Sequence, residues 1–487
     1  MSRGLTAALV LAAAATFLRA QFIFFPTDVH IDEPIIAGLA QRAVETGRLT
    51  ANWEGVANQN WSRPTYQFSP YTLIENGLAL ASNRLFGVPH GRDEQIRFAR
   101  GVSVACGGLA VLATYCAARA WFVGVGTALI AESLVAAAFL HVQDSCYGRV
   151  EAMLSLAIML AFWASGAAMN APTTRRYAVL GLAIGVVVAM KYNAAPILLL
   201  AGAPLFTSTP DKVRKIWVAL AASVVSFLVA TPEFVFAPSP LIEGVRYEIA
   251  HYSEGHIPHQ AMDASDNNLK FWANYLFRLG FGWAPMIAVL GYLGLAWRRG
   301  GRDALLALFL VIAAVLTVAP KVRFERNAEV LLGPACLAAA RFLNVCWFAF
   351  PPSLTRVLLQ AGVAVGLTGN LMQHGVALYD FRRQQKRFSS PLVLVPEAVR
   401  RDRFLGQAIQ KAPPPDWDKY DVLLLSGYSD AFSQRALKEW EQRLRQDWDL
   451  TLTRCDWYRA GYPFSTVEAY HGPGFILRAE KKRKGSN

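Results

Sequence analysis

The chain has 487 residues, of which 54% are apolar and only 17% charged, with a mean hydropathy of +0.27. A soluble protein averages roughly 25% charged residues, and the shortage is uneven, because residues 380–487 hold 34 of the 83 charged side chains. The first four-fifths therefore cannot be an ordinary soluble fold or a disordered chain; it reads as a polytopic α-helical membrane protein followed by a polar tail. The net charge of +13 does not point to nucleic acid, since the basic residues form no face or run apart from Lys481, Lys482, Arg483 and Lys484. Cytoplasmic loops that obey the positive-inside rule carry such an excess.

A bilayer core about 30 Å thick needs about 20 apolar residues per helix. In chain order the candidates are Leu5–Phe25, 101–120, 123–142, 152–169, 177–206, 216–237, 272–297, 304–320, 328–349 and 355–378. The stretch 177–206 is too long for one span and is interrupted by Lys191, Tyr192, Asn193 and Pro196, so two short helices meeting at Lys191 are expected. Such a break is tolerated where it lines a cavity or packs on protein. Segment 69–86 is apolar but carries Glu75, Asn76, Asn83 and Arg84. If it does not cross, Arg119, Arg175, Arg176, Lys212, Arg214, Lys215, Arg298, Arg299 and Arg302 all share the side of Arg3, a consistent cytoplasmic set. It is therefore read as an interfacial or re-entrant helix, and the count becomes about eleven spans. Loop 26–100, the turn around Asp144–Glu151, loop 238–271 and the tail then lie outside. In the tail, Asp421–Ser426 and Gly474–Arg478 read as strands, Phe432–Asp447 as an amphipathic helix, and Pro413–Pro415 as a linker turn. The expected division is 1–380 in the membrane and a small α/β domain over 381–487. Six cysteines without a CxxC pair argue against a disulfide or zinc framework.

Several polar groups fall on the outer side without any topological need. Asp32-Glu33 follows the first span, with Pro34 placed to open a helix. Glu151 closes Tyr147-Gly148-Arg149-Val150-Glu151 at the start of the span at 152, where the helix dipole favours an anion. A capping acid is the plain alternative for both. Lys191 either snorkels or faces a polar cavity. His251, Tyr252, Glu254, His256 and His259 form a cluster that could contact substrate or hold a divalent metal. Lys321, Arg323 and Arg326 are basic on the wrong side, and Arg forks match phosphate oxygens. Trp61 and Tyr66, with Trp53, make the first loop aromatic, suiting sugar rings or a membrane interface. No Walker loop and no dinucleotide fingerprint occurs. Acids and cations on one face, beside lipid, suggest transfer of a group from a phosphate-bearing lipid.

In order, these features resemble the GT-C glycosyltransferases, in particular glycosyltransferase family 39 and the lipid A aminoarabinose transferases. The likeness rests on Asp32-Glu33 after the first span, Phe86-Gly87, Arg97–Arg100, the 147–151 pattern, Thr231-Pro232-Glu233-Phe234 with His251-Tyr252-x-x-Gly255-His256, and Lys321–Arg326 ahead of Pro334. It spans roughly residues 5–345. Glu151 departs from the usual Asp, and Asn327 stands where the signature has Tyr. The resemblance implies a polyprenyl-phosphate sugar donor and inverting transfer, outside the cytosol, to a protein, lipid or glycan acceptor. It implies Asp32 as general base, Glu33 as its orienting neighbour and Glu151 as second acid. Lys191, Lys321, Arg323 and Arg326 become phosphate ligands and His251, Tyr252 and His256 substrate contacts; the unusually aromatic first loop, a departure from the family, adds Trp61 and Tyr66 as substrate contacts. No metal site is implied, and metal dependence stays open. A bacterial inner membrane is the expected location, with membrane lipids as surroundings. A flippase of lipid-linked sugars and a non-catalytic assembly subunit are the competing readings.

Overall fold

The computed structural model describes residues 2–21, 32–56, 66, 69–87, 91–254, 268–320, 324–349, 354–388, 404–408, 419–427, 431–454 and 475–482. The first helix, α1 (Arg3–Ala20), is capped by Ser2, whose hydroxyl accepts from the Leu5 amide. Two amphipathic helices follow, α2 (Glu33–Thr46) and α3 (Ser69–Phe86). Pro34 in the first turn and left-handed Gly47 after the last bound α2, the usual asymmetry of helix ends. The helix α4 (Arg92–Phe122) has 31 residues and is about 46 Å long at 1.5 Å per residue. That exceeds the apolar core of a bilayer, so its first turns, with Arg100, rise to the level of α2 and α3.

Next come α5 (Val125–Ala137), α6 (Phe139–Asp144), α7 (Val150–Asn170) and α8 (Thr174–Met190). As expected, the 177–206 stretch breaks at Lys191, whose backbone is extended, and continues as a 3-10 helix over Tyr192–Phe206. The partner of α8 is α9 (Lys212–Ala230). Gly181 and Gly185 lie at the crossing, where a Cβ would strike the carbonyls of Ala219 and Ser223. Ser226 Oγ donates to the Leu182 carbonyl across it at 2.7 Å. This is small-xxx-small packing, which holds helices together where lipid removes the hydrophobic drive.

Beyond Thr231 the chain turns through α10 (Glu233–Phe236) into α11 (Pro238–Glu254), so much of the expected loop 238–271 is helix. The expected span 272–297 is not straight. It comprises α12 (Asn268–Tyr275), a π turn over Leu276–Gly280 and α13 (Trp283–Arg299), bent by 118°. At the bend Gly282 has φ +84 and Asn370 fills the space a Cβ would need. Then follow α14 (Gly301–Val318), a 3-10 turn over Glu325–Ala328, α15 (Glu329–Ala349) and α16 (Leu354–Phe388). From α16, Asn370 donates to Phe281 O at 3.3 Å and Gln373 to Arg278 O at 2.8 Å. These bonds occupy carbonyls that the broken helix leaves open.

Among the described residues, six helices are long and apolar enough to cross a membrane: α1, α4, α7, α9, α14, and α15 with the turn before it. Counting the bent pair raises this to seven. The count of about eleven is not confirmed: α5 and the Tyr192–Phe206 stretch are shorter apolar helices, α8 has 17 residues, and α16 is not among the six. The α/β tail is as expected in class. A sheet of order β1-β2-β4-β3 joins β1 (Phe404–Ala408), β2 (Val422–Gly427), β3 (Trp448–Arg454) and β4 (Phe475–Lys481). The β1–β2 pair is parallel and the others antiparallel. Helix α17 (Ala431–Leu444) covers it through Leu437 and Trp440 on Leu423, Leu425 and Leu477. The strands β1 and β3 were not anticipated, and Pro413–Pro415 lies outside the described residues.

Candidate functional site

Asp32, Glu151, Lys191 and Arg326, four of the groups singled out in the sequence, converge where α2, the start of α7, the α8 break and the turn before α15 meet. Asp32 occupies the N-cap position of α2 but makes no capping bond. Its carboxylate faces Arg326 instead, with Nη1 at 3.2 Å from Oδ2, and its side chain remains 25% exposed. A capping role does not account for it. Arg326 also reaches Glu151, Nε to Oε1 at 3.7 Å, and its guanidinium stacks 4.6 Å above the Phe324 ring. Glu151 is buried and surrounded by cations, with Lys191 Nζ at 3.0 Å and Arg149 Nε at 3.5 Å. Burial of a charge is tolerable only with such partners. The extended backbone at Lys191 is what aims its side chain at Glu151 rather than along a helix face.

Glu33 behaves differently from its neighbour. It is buried, and Arg100 grips both oxygens at 2.7 Å, a bidentate fork. The Gly148 amide donates to the same carboxylate at 2.8 Å. Arg149, the next residue, pairs with Asp144 as well as Glu151. The Tyr147 ring lies between the two guanidinium groups, 5.6 Å from Arg100 and 5.5 Å from Arg149. The contacts thus close a ring. It runs from Asp32 through Arg326, Glu151, Arg149, Tyr147, Arg100 and Glu33, and returns to Asp32 through one peptide bond. Arg100, Arg149 and Asp144 were not singled out as site residues. Arg97–Arg100 and the 147–151 motif were visible, but Arg100 finds its partner 67 residues away at Glu33, whereas Arg149 and Asp144 are a local pair. Glycine at 148 is required, since a Cβ there would press on the Ala99 Cβ at 2.7 Å.

Deeper in the same cluster His141 Nδ1 lies 3.5 Å from Glu329 Oε1, both fully buried. Beside Lys191 opens a cavity of about 410 Å³, lined by Met190, Val245, Ile249, Leu316 and Pro320, with Asn193, Tyr252 and Asn327 on the same wall. It is mostly apolar, with Glu248 and Thr317 also on its lining. Tyr252 lines the same cavity as Lys191. Tyr66 does not join this cluster; it bridges Asn52, and burial together with Glu233 and Glu54 raises its pKa. Lys321, Arg323, Trp61 and His256 lie outside the described residues, as does the side chain of His251. Among the described residues no group of three or more His, Cys, Asp or Glu could hold a metal ion. Five cysteines there are free.

A family profile described as dolichyl-phosphate-mannose-protein mannosyltransferase matches residues 81–236. The fold resembles that of ArnT from Cupriavidus metallidurans bound to undecaprenyl phosphate, with TM-score 0.53 and 15% identity over 96% of this chain and 97% of that one. It also resembles the archaeal oligosaccharyltransferase AglB from Archaeoglobus fulgidus in complex with an inhibitory peptide and a dolichol-phosphate. There the TM-score is 0.54 at 14% identity over 78% of this chain, which spans 56% of AglB's length. No curated protein matches the sequence. The chain has the fold of the GT-C membrane glycosyltransferases.

Proposed function

We propose that this chain is an integral-membrane glycosyltransferase that moves a sugar from a polyprenyl-phosphate donor to an acceptor hydroxyl with inversion. The observation that carries the reading is Arg326, which bridges Asp32 and Glu151 beside a cavity whose apolar walls lead up to Lys191. The apolar cavity suits the first isoprene units of the lipid, and Lys191 and Arg326 suit its phosphate, with Lys321 and Arg323 as further ligands. The phosphate is already a good leaving group and needs charge stabilisation rather than a proton, which fixed cations in a dry site supply. The acceptor hydroxyl must lose its proton as the new bond forms. Asp32, partly exposed and adjacent to Arg326, is the carboxylate placed to take it. Glu33 is held by Arg100 and Gly148 and serves as a positioning residue. Glu151 holds Lys191 and Arg326 apart from one another and oriented.

The dolichol-phosphate and undecaprenyl phosphate named with the two structural relatives support a lipid-linked donor of this kind. A hexosyl or pentosyl group is the transferred unit, and the acceptor is a protein, lipid or glycan. His251, Tyr252, His256, Trp61 and Tyr66 belong to the substrate-facing side in this reading. The site opens to the outer face of a bacterial inner membrane. The test is Asp32→Asn in purified protein given a radiolabelled polyprenyl-phosphate sugar and a membrane extract as acceptor. Transfer should fall at least about a hundredfold, the scale of a lost general base, while donor binding is kept. Wild-type turnover by that variant would refute the assignment.

A further inference from the structure

One buried cation stands apart from the ring of contacts around Asp32 and Glu151. Arg19, at the end of α1, is fully buried and makes no ion pair among the described residues. Burying a charge without a counter-ion is costly, so its hydrogen bonds must account for it. They meet a break in the chain. Between α5 and α6 the backbone of Ala138 is extended, with φ −62 and ψ 123, and carbonyls at the end of α5 lose their helical donors. The Arg19 guanidinium takes two of them. Nη2 donates to Ala136 O at 3.3 Å and to Val135 O at 3.5 Å, while Nη1 donates to Ala15 O at 2.9 Å. His374 of α16 lies 3.1 Å from the third, Ala137 O. From the other edge of the same guanidinium, Nε donates to Ser145 Oγ at 3.4 Å, just past the end of α6. Ser145 Oγ in turn donates to His141 O at 2.6 Å. Gly107 of α4 leaves the room for this, since a Cβ there would strike Ser145 Oγ and crowd Arg19 Cδ.

One side chain thus grips both ends of α6, a helix of six residues. That helix and the turn after it carry much of the site. Asp144 closes α6 and pairs with Arg149, Arg149 faces Glu151, and the Gly148 amide donates to Glu33. We infer that Arg19 is a positioning residue for the transfer reaction: by fixing α6 at both ends it sets Asp144, and through Asp144 the Arg149 that faces Glu151, the acid holding Lys191 and Arg326. This rests on the donor reading above and adds to it a residue of the first span that lies outside the ring of contacts. Arginine suits the role because its planar fork points donors in separate directions, toward the end of α5 on one edge and Ser145 on the other. A lysine ammonium carries the same charge at a single point and cannot serve both. The guanidinium therefore matters here for its shape, not for its charge.

The experiment measures kcat per folded enzyme, well below the melting temperature, as release of undecaprenyl phosphate by full-length protein in nanodiscs. Labelled undecaprenyl-phosphate mannose, glucose, galactose and arabinose are the donors, and a membrane extract supplies the acceptor. Arg19→Lys should lower kcat about ten- to a hundredfold, the scale of a displaced reacting group. Asp144→Asn should also lower kcat, and the double variant should be no slower than the worse single one, because the two residues act along one route. A merely structural Arg19 would give losses that multiply. Ser145→Ala, which removes one grip and leaves the cation on its carbonyls, should show a smaller loss, and it replaces Arg19→Lys in the cycle if that variant does not fold. Wild-type kcat in the Arg19 variant, its replacement or Asp144→Asn, or losses that multiply in the double variant, overturns the inference and leaves the donor reading intact. Wild-type protein that turns over none of the four lipids overturns both.

Discussion

The Glu33–Arg100 fork anchors the residue next to Asp32. Both oxygens of Glu33 accept from Arg100 at 2.7 Å, the pair is buried, and the Gly148 amide adds a third bond. Arg100→Ala removes the fork and takes the cation away from a buried carboxylate. Breaking one side of such a pair costs about 3–5 kcal/mol. Because Asp32 is joined to Glu33 by one peptide bond, relaxation of Glu33 shifts the base. A displacement of about 1 Å at a reacting group costs on the order of a hundredfold in rate. The assay is thermal unfolding in detergent together with release of polyprenyl phosphate from labelled donor at saturating acceptor. Arg100→Ala should lose both stability and kcat. The double variant Glu33→Gln, Arg100→Met leaves no buried charge and should regain most of the stability, because a buried ion pair is often replaceable by neutral groups. It should not regain kcat, since the fork that aims Asp32 is gone, and KM for the donor should stay near that of wild type. A double variant with wild-type kcat would refute the positioning argument.

Lys191→Ala should leave Glu151 with only its arginine partners and weaken undecaprenyl phosphate binding by about ten- to a hundredfold, the range for a lost charge-assisted contact; unchanged affinity in nanodiscs would remove Lys191 from the donor site. Burial pushes the Glu75 carboxyl from 4.5 up to about 8, and neither of its oxygens has a hydrogen-bond partner among the described residues. The folded state therefore holds its proton more tightly than the unfolded one, so stability is highest below the unfolded pKa and declines as pH rises through about 8. Glu75→Gln should flatten that decline and raise the melting temperature at pH 8.5 while changing little at pH 5; melting curves that keep the wild-type slope would count against it. Gly185→Leu should push α9 off α8 and cost about 2 kcal/mol or more, as overpacking does, read as loss of folded protein in detergent; normal yield and melting would mean the two helices do not need that close approach.

The sequence by itself determined the class of the fold, because scarce charge and long apolar runs leave a membrane bundle as the only way to bury so much surface. It also determined the break at Lys191, since a lysine, an asparagine and a proline together cannot continue an apolar span. As candidates, Asp32, Glu151, Lys191 and Arg326 were legible for a related reason: in a bilayer an ionisable residue is costly, so each one beside an apolar span stands out. Partnership was not legible. Arg100 reads as the basic start of a span, and only the length of α4 brings it level with Glu33, 67 residues earlier. Asp144, Arg149 and Glu151 are local neighbours, and packing adds Lys191 and Arg326 to Glu151. The bend at Gly282 and the Arg19 grip on α6 likewise join residues from elements whose order in sequence says nothing of their distance. Local pattern fixes which groups must avoid lipid; the packing of helices decides which of them meet, because charge pairing and close glycine contacts act across space rather than along the chain.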